Sequence, residues 1–217
     1  MSLFKTGTGA ILAVAVVVVV VAVTCGSIAC GGKSPQDLPY SQQIAADRGA
    51  KDSQFAEASD SPVKADKRGQ FLPLAYYAPD EMYRVPAMLA PFEGEEAIEM
   101  PTSTGKRREM RRAGQLKFSV KGQTLTLTAF VEATDRQMAR LFVPFADQTN
   151  GTETYPAGRY LDLTRTATGL YDLDFNRAYH PYCYFNDEYD CPFPPAENRL
   201  GIPIRAGERM KVARAGS

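Results

Sequence analysis

Residues 116–129 constrain the fold more than any other stretch of the chain. Leu116, Phe118 and Val120 alternate with Lys117 and Ser119; Lys121 and Gly122 follow; then Leu125, Leu127 and Ala129 alternate with Thr124, Thr126 and Thr128. A period of two sends the apolar residues to one face of a pleated strand and the polar residues to the other. Gly122 supplies the positive φ of a tight turn, so the stretch predicts a β-hairpin with one face in a core. Residues 140–145 (RLFVPF) predict a further strand, which lies at an edge or ends at Pro144 because proline cannot donate to a ladder. Residues 159–163 and 171–175 predict a second hairpin, with Tyr171, Leu173 and Phe175 on one face and Asp172 and Asp174 on the other. Leu200, Ile202 and Ile204 predict a last strand, and residues 71–77 and 83–85 are shorter extended pieces. About eight short strands and one weak helix point to an all-β domain, mainly an antiparallel barrel or sandwich.

The N-terminus has a different character. Residues 10–23, AILAVAVVVVVVAV, form an uncharged apolar run after Lys5. Its length suits a signal peptide, and with its uncharged flanks it reaches the roughly 20 residues of a membrane span. Ser27-Ile28-Ala29-Cys30 resembles a lipobox with the usual leucine replaced by Ser27, which makes Cys30 the candidate for lipidation. An acylated lipoprotein, an uncleaved anchor and an ordinary cleaved leader stay open, and all three place the domain in the cell envelope, outside the cytoplasm. The expected organisation is a signal peptide or membrane anchor over residues 1–30, a tether and weak amphipathic helix over 31–66, and the all-β domain over 67–217. That helix is expected to be capped by Ser41 and to run through Phe55, with Ile44 and Phe55 as its few apolar anchors.

The 25 basic and 25 acidic residues cancel, so no net field attracts a nucleic acid. The chain contains no phosphate-binding glycine loop, no H-E-x-x-H and no paired C-x-x-C, and no cofactor or metal is expected. The acidic residues 93–96 and the basic residues 106–108 and 111–112 are expected to be solvated rims, or contacts to anionic lipid headgroups. The expected partners are the membrane, through the N-terminal segment, and an unknown small molecule or envelope protein.

The polar and aromatic residues of the last third carry a resemblance. The segments GRYLDL, LDFNRAY, PYCYFN, CPFPPAENRL and IRAGE, with FLPLAYY, GQLKFSVKG and PFADQTNGTETY upstream, resemble the bacterial family called domain of unknown function 1684. The likeness runs over roughly residues 45–209. It implies no activity, since none is established for that family. It also implies an amide at position 180, where this chain has its only histidine. A general base does not tolerate that exchange, so His180 is expected to be a hydrogen-bonded loop residue. Cys183 and Cys191 have C-x7-C spacing, wrong for a zinc knuckle, and outside the cytoplasm read as a disulfide or otherwise as a buried thiol pair.

Prolines 181, 192, 194 and 195 force this segment to cross the sheet as an irregular loop. Around it, Arg159, Asp174, Asn176, Arg177, Tyr179, Asn198 and Glu208 are the candidate ligand-binding residues, and the aromatic Tyr182, Tyr184 and Phe185 accompany them. The same polar residues would equally tie the loop to the backbone. Three functions follow: a β domain that binds a small ligand, an envelope scaffold, or a carboxylate-dependent hydrolase or lyase with Asp174 and Glu208 as base and acid.

Overall fold

The computed structural model describes residues 38–94, 97–135, 138 and 140–211. The apolar leader with Cys30, and Glu95 and Glu96 of the acidic loop, lie outside the described residues. Described in chain order, helix α1 spans Tyr40–Glu57 and the single turn α2 spans Arg68–Phe71. The strands are β1 (Ala75–Tyr76), β2 (Arg84–Pro91), β3 (Ala97–Pro101), β4 (Arg107–Val120), β5 (Gln123–Glu132), β6 (Arg140–Phe145), β7 (Arg159–Thr164), β8 (Tyr171–Asp174) and β9 (Glu208–Arg209). Seven of them form one antiparallel sheet in the order β7-β6-β5-β4-β2-β8, with β3 pairing β4 off that path. The two ends of the path, β7 and β8, meet at the single bridge Arg165↔Tyr171, so the sheet is nearly closed and barrel-like.

The predicted hairpin is the spine of this sheet. Strands β4 and β5 pair with Phe118 opposite Leu125 and Leu116 opposite Leu127. Lys121 and Gly122 both have positive φ, 47° and 76°, the requirement of a type I′ turn. Strand β4 runs on for 14 residues and serves two partners on one edge, β3 beside residues 107–111 and β2 beside 114–117. The change of partner coincides with a register shift between Arg112 and Gly114. A Cβ at Gly114 would stand 2.6 Å from the Ala90 carbonyl oxygen, so only glycine lets β2 approach there. Inside the curve lies the main core, with Leu116, Leu127, Leu141, Val143, Phe145, Leu161, Leu173 and Phe175 all buried. Phe175 packs edge-on to Phe145 at 5.3 Å between ring centres.

Several expectations are corrected. Strand β8 pairs β2, with Arg84 opposite Asp174, and the expected 159–175 hairpin is reduced to its one bridge. Strand β6 is not an edge: it pairs β7 along its length and touches β5 at Phe130↔Phe142. Residues 200–204 are not a strand; the C-terminal strand is β9, paired with β1. The basic residues 107, 108, 111 and 112 belong to strand β4, and Thr128, expected on a solvent face, is buried.

Helix α1 is longer than predicted, and Ser41 does not cap it. The cap position is Pro39, which makes no side-chain bond. The inward stripe is Ile44, Arg48, Lys51 and Phe55, with Ile44 and Phe55 buried and the two cations half-buried between them, at spacings of four, three and four that keep one face toward the β domain. Arg48 donates to the Tyr77 carbonyl at 2.9 Å and stacks over the Tyr76 ring, Lys51 donates to Glu208 at 2.6 Å, and Tyr40 donates to Asp174 at 2.8 Å. Because its inward stripe is half cationic, this helix has little of the apolar periodicity by which packed helices are recognised.

Candidate functional site

The candidate polar residues are mostly ties between backbone segments. Arg159 opens β7 facing inward with Leu161 and Leu163, and it is fully buried. Its guanidinium donates to Asp147 at 2.8 Å and to the carbonyls of Ile204 at 2.7 Å, Glu208 at 3.1 Å, and Ala206. Alternate carbonyls of an extended segment thus converge on one side chain, which supplies donors that a neighbouring strand would otherwise supply. Asp147 completes the joint by accepting from the amides of Thr149 at 2.8 Å and Ile204 at 3.1 Å.

Asn198 does the same between β5 and β6. Its oxygen accepts from the Thr128 amide at 2.7 Å, and its nitrogen donates to the carbonyls of Thr128 at 2.8 Å and Pro144 at 2.7 Å. Strands β5 and β6 separate where Pro144 cannot donate, and a side-chain amide fills the gap. Asp174 accepts from Tyr40, from the Asn176 amide at 3.0 Å and from Arg177 at 3.2 Å, and Asn176 in turn spans both backbone groups of Asp80. Glu208, 2% exposed, accepts from Lys51 on one oxygen and from the His180 amide at 2.7 Å on the other. Both carboxylates named for acid and base chemistry therefore have each oxygen already engaged by a protein donor.

His180 is 1% exposed, and its Nε2 accepts from the Tyr155 amide at 3.3 Å. Burial, with the charges of Arg159 and Lys51, holds its pKa well below the ordinary imidazole value. A histidine whose folded pKa is lowered binds fewer protons than in the unfolded chain, so stability falls as the pH drops below about 6.5. Stability is expected to decline by about 1.4 kcal/mol per pH unit below that point, until the folded pKa is reached. Denaturant titrations between pH 7.5 and 5.5 should show this slope, and His180→Asn should flatten it; an unchanged slope in the variant would assign it elsewhere.

Asn176, Arg177, Tyr179 and Glu208 do share a hollow beneath α1, with Arg48 and Lys51, but its volume is about 130 Å³. A far larger cleft of about 660 Å³ lies across the outer face of the sheet, and of the seven candidates only Tyr179 lines it. Small-molecule sites occupy roughly 300–1,000 Å³, which selects the second. Its floor is aromatic and apolar: Phe142 meets Tyr160 edge-on at 4.8 Å, Tyr160 meets Tyr179 at 5.8 Å, and Met110 and Val131 lie beside them. The loop over residues 179–192 forms the opposite wall, where Tyr182 and Tyr189 stack edge-on at 5.2 Å. Charge of both signs surrounds it: Lys51, Arg108 and Arg140, with Glu132, Asp135, Asp162 and Asp190.

Asp162 is the polar focus of the floor. One of its oxygens accepts from Tyr179 at 2.7 Å and from Arg140 at 2.8 Å. Burial and the Asp162 charge push the Tyr179 phenol far above its ordinary value, so it stays a donor. Tyr160 is likewise raised by burial and donates to the Pro192 carbonyl, which fastens the loop to the sheet. Cys191 and Pro192 line this wall, and Cys183 and Cys191 are neighbouring free thiols. Most of these lining residues were not among the sequence candidates. The signal available was alternation: Tyr160 and Asp162, Arg140 and Phe142, and Arg108 and Met110 each share one face of a strand. Among the described residues no group of three or more histidine, cysteine, aspartate or glutamate side chains is arranged to hold a metal.

Fold and cleft together define a small, nearly closed antiparallel β domain with an aromatic cleft on its outer face. The chain belongs to the protein family of unknown function DUF1684, whose model matches residues 69–209. It is similar in structure to an uncharacterised protein of Haloarcula marismortui solved by solution NMR, at 37% identity and a TM-score of 0.61, over 77% of this chain and 92% of that one. No curated protein matches it.

Proposed function

We propose that this is a ligand-binding β domain that takes a small molecule in the 660 Å³ cleft on the outer face of its sheet. The observation that carries the reading is the lining: five aromatic rings beside charged groups of both signs, in a space of small-molecule size. Ring faces accommodate an apolar or π surface, and Asp162 with Arg140 and Tyr179 offers an acceptor and donors to a polar edge. The ligand is therefore a compact molecule with one face to stack and one edge to hydrogen-bond. Footprinting by hydroxyl radicals tests this on protein purified from its own host, before and after unfolding and refolding. Tyr182, 40% exposed, and Tyr189 are expected to react more after refolding, while Met82 and Met88, at 60% and 65% exposure, stay unchanged. Identical reactivity at both tyrosines would sink the reading and leave the scaffold role.

The proposal places the domain outside the cytoplasm, held at a membrane by its N-terminal segment. Support comes from the apolar run at residues 10–23 and from Cys30. Among the described residues no helix is long and apolar enough to cross a membrane. Metabolic palmitate labelling separates the forms of attachment. Label that disappears in Cys30→Ser establishes the lipoprotein, whereas unlabelled protein in the membrane fraction establishes an uncleaved anchor.

A further inference from the structure

Cys183 and Cys191 are separate in role as well as in position. The Cys183 amide donates to the Cys191 sulfur at 3.3 Å, and the Cys183 thiol points to the Tyr155 hydroxyl at 4.0 Å. Cys183 is half-buried, whereas Cys191 is 7% exposed. Ser103 fixes Cys191 from both sides: the Ser103 amide donates to the Cys191 carbonyl at 2.9 Å, and the Cys191 amide donates to the Ser103 hydroxyl at 3.0 Å. Pro192, next in the chain, is held by Tyr160. The more exposed cysteine is thus on the short turn Tyr182–Tyr184, and the less exposed one is on the anchored wall of the cleft.

We propose that Cys183 and Cys191 are a reversible dithiol–disulfide pair that closes in place, with Cys183 as the attacking sulfur and a small-molecule disulfide as the oxidant. The proposal stands apart from the ligand reading. In the first step the Cys183 thiolate forms a bond to one sulfur of the small disulfide, whose other sulfur leaves as a thiolate and takes up a proton. In the second, Cys191 gives up its proton and its sulfur bonds to that of Cys183, expelling the second small thiolate. Two protein thiols are oxidised, and one small disulfide is reduced to two thiols.

Electrostatics agree with that order. The hydrogen bond with Cys191, aided by Ser103 and Tyr155 and opposed by burial, pulls Cys183 down to about 6, while the same contact and burial push Cys191 up. The thiolate is the nucleophile, so the reactive form at neutral pH belongs to Cys183. Closure ties residues 183 and 191 beside the cleft and stiffens the wall that carries Tyr182, Tyr189 and Pro192.

The test uses the full-length chain in glutathione buffers from fully reduced to fully oxidised, followed by acid quenching, alkylation, digestion and mass mapping of the two peptides. The wild type is expected to form the Cys183–Cys191 disulfide with no lasting adduct. Cys191→Ser should accumulate glutathione on Cys183, and Cys183→Ser should react at Cys191 about tenfold more slowly or less. In reduced wild type, which needs no variant to fold, iodoacetamide should modify Cys183 about tenfold faster than Cys191. The oxidised form should melt higher by roughly 5 °C, since the bridge restrains only the unfolded chain. Free thiols throughout the series, equal alkylation rates, or a lower melting temperature on oxidation would each overturn the proposal.

Discussion

Asp147→Ala is expected to destabilise the domain by about 3–5 kcal/mol, a fall of roughly 10 °C in melting temperature. Arg159 and Asp147 are both 0% exposed at their side chains, and their contact is 2.8 Å. Removing the carboxylate leaves a guanidinium inside the protein with neutral carbonyls as its hydrogen-bond acceptors, and the cost is that of an uncompensated buried charge. The variant also strips the acceptor from the amides of Thr149 and Ile204. Asp147→Asn, which keeps an acceptor oxygen but no charge, should fall between alanine and wild type. Adding Arg159→Leu to Asp147→Ala should not restore stability, because the carbonyls of Ile204, Ala206 and Glu208 then lose their donor. Urea denaturation measures all three; a loss under about 1 kcal/mol for Asp147→Ala would show the joint to be wetter and weaker than described.

The second large effect is at Asn198, where alanine is expected to cost about 2–4 kcal/mol. The side chain is fully buried, and its removal leaves the Thr128 amide and the carbonyls of Thr128 and Pro144 without partners. Asn198→Asp has nearly the same shape and should do no better, because a carboxylate would face two carbonyl oxygens. In hydrogen exchange, the variants should lose protection at Thr128 first. An aspartate variant as stable as wild type would mean that shape, rather than donor and acceptor pattern, is what Asn198 contributes.

How much of this the sequence discloses depends on distance along the chain. The β4–β5 hairpin is legible because its partners are adjacent and its turn carries Gly122, and with it the all-β class. The pairing of β8 with β2 joins Arg84 to Asp174, and no local pattern encodes so distant a partner. Helix α1 reads as weak because two of its four inward residues are Arg48 and Lys51, whose value lies in Tyr77 and Glu208. The polar residues of the last third are conspicuous for a structural reason. Arg159 and Asn198 stand in for missing strand partners, and a motif made of such residues looks like a binding site. The cleft is hard to see because its walls come from α1 and four strands, each giving one or two residues, and from the irregular 179–192 loop. Their shared outer face is legible strand by strand, but their convergence needs the sheet order.

That division between buried ties and an external cleft is tested most directly by the mass of the full-length protein purified from its host, recorded under native and then denaturing conditions. A reproducible extra mass that is lost on denaturation is expected. Glu132→Arg, at an exposed lining position, should abolish the extra mass without lowering the melting temperature. Equal masses under both conditions, or an extra mass that Glu132→Arg retains, would contradict the assignment of the cleft as the ligand site.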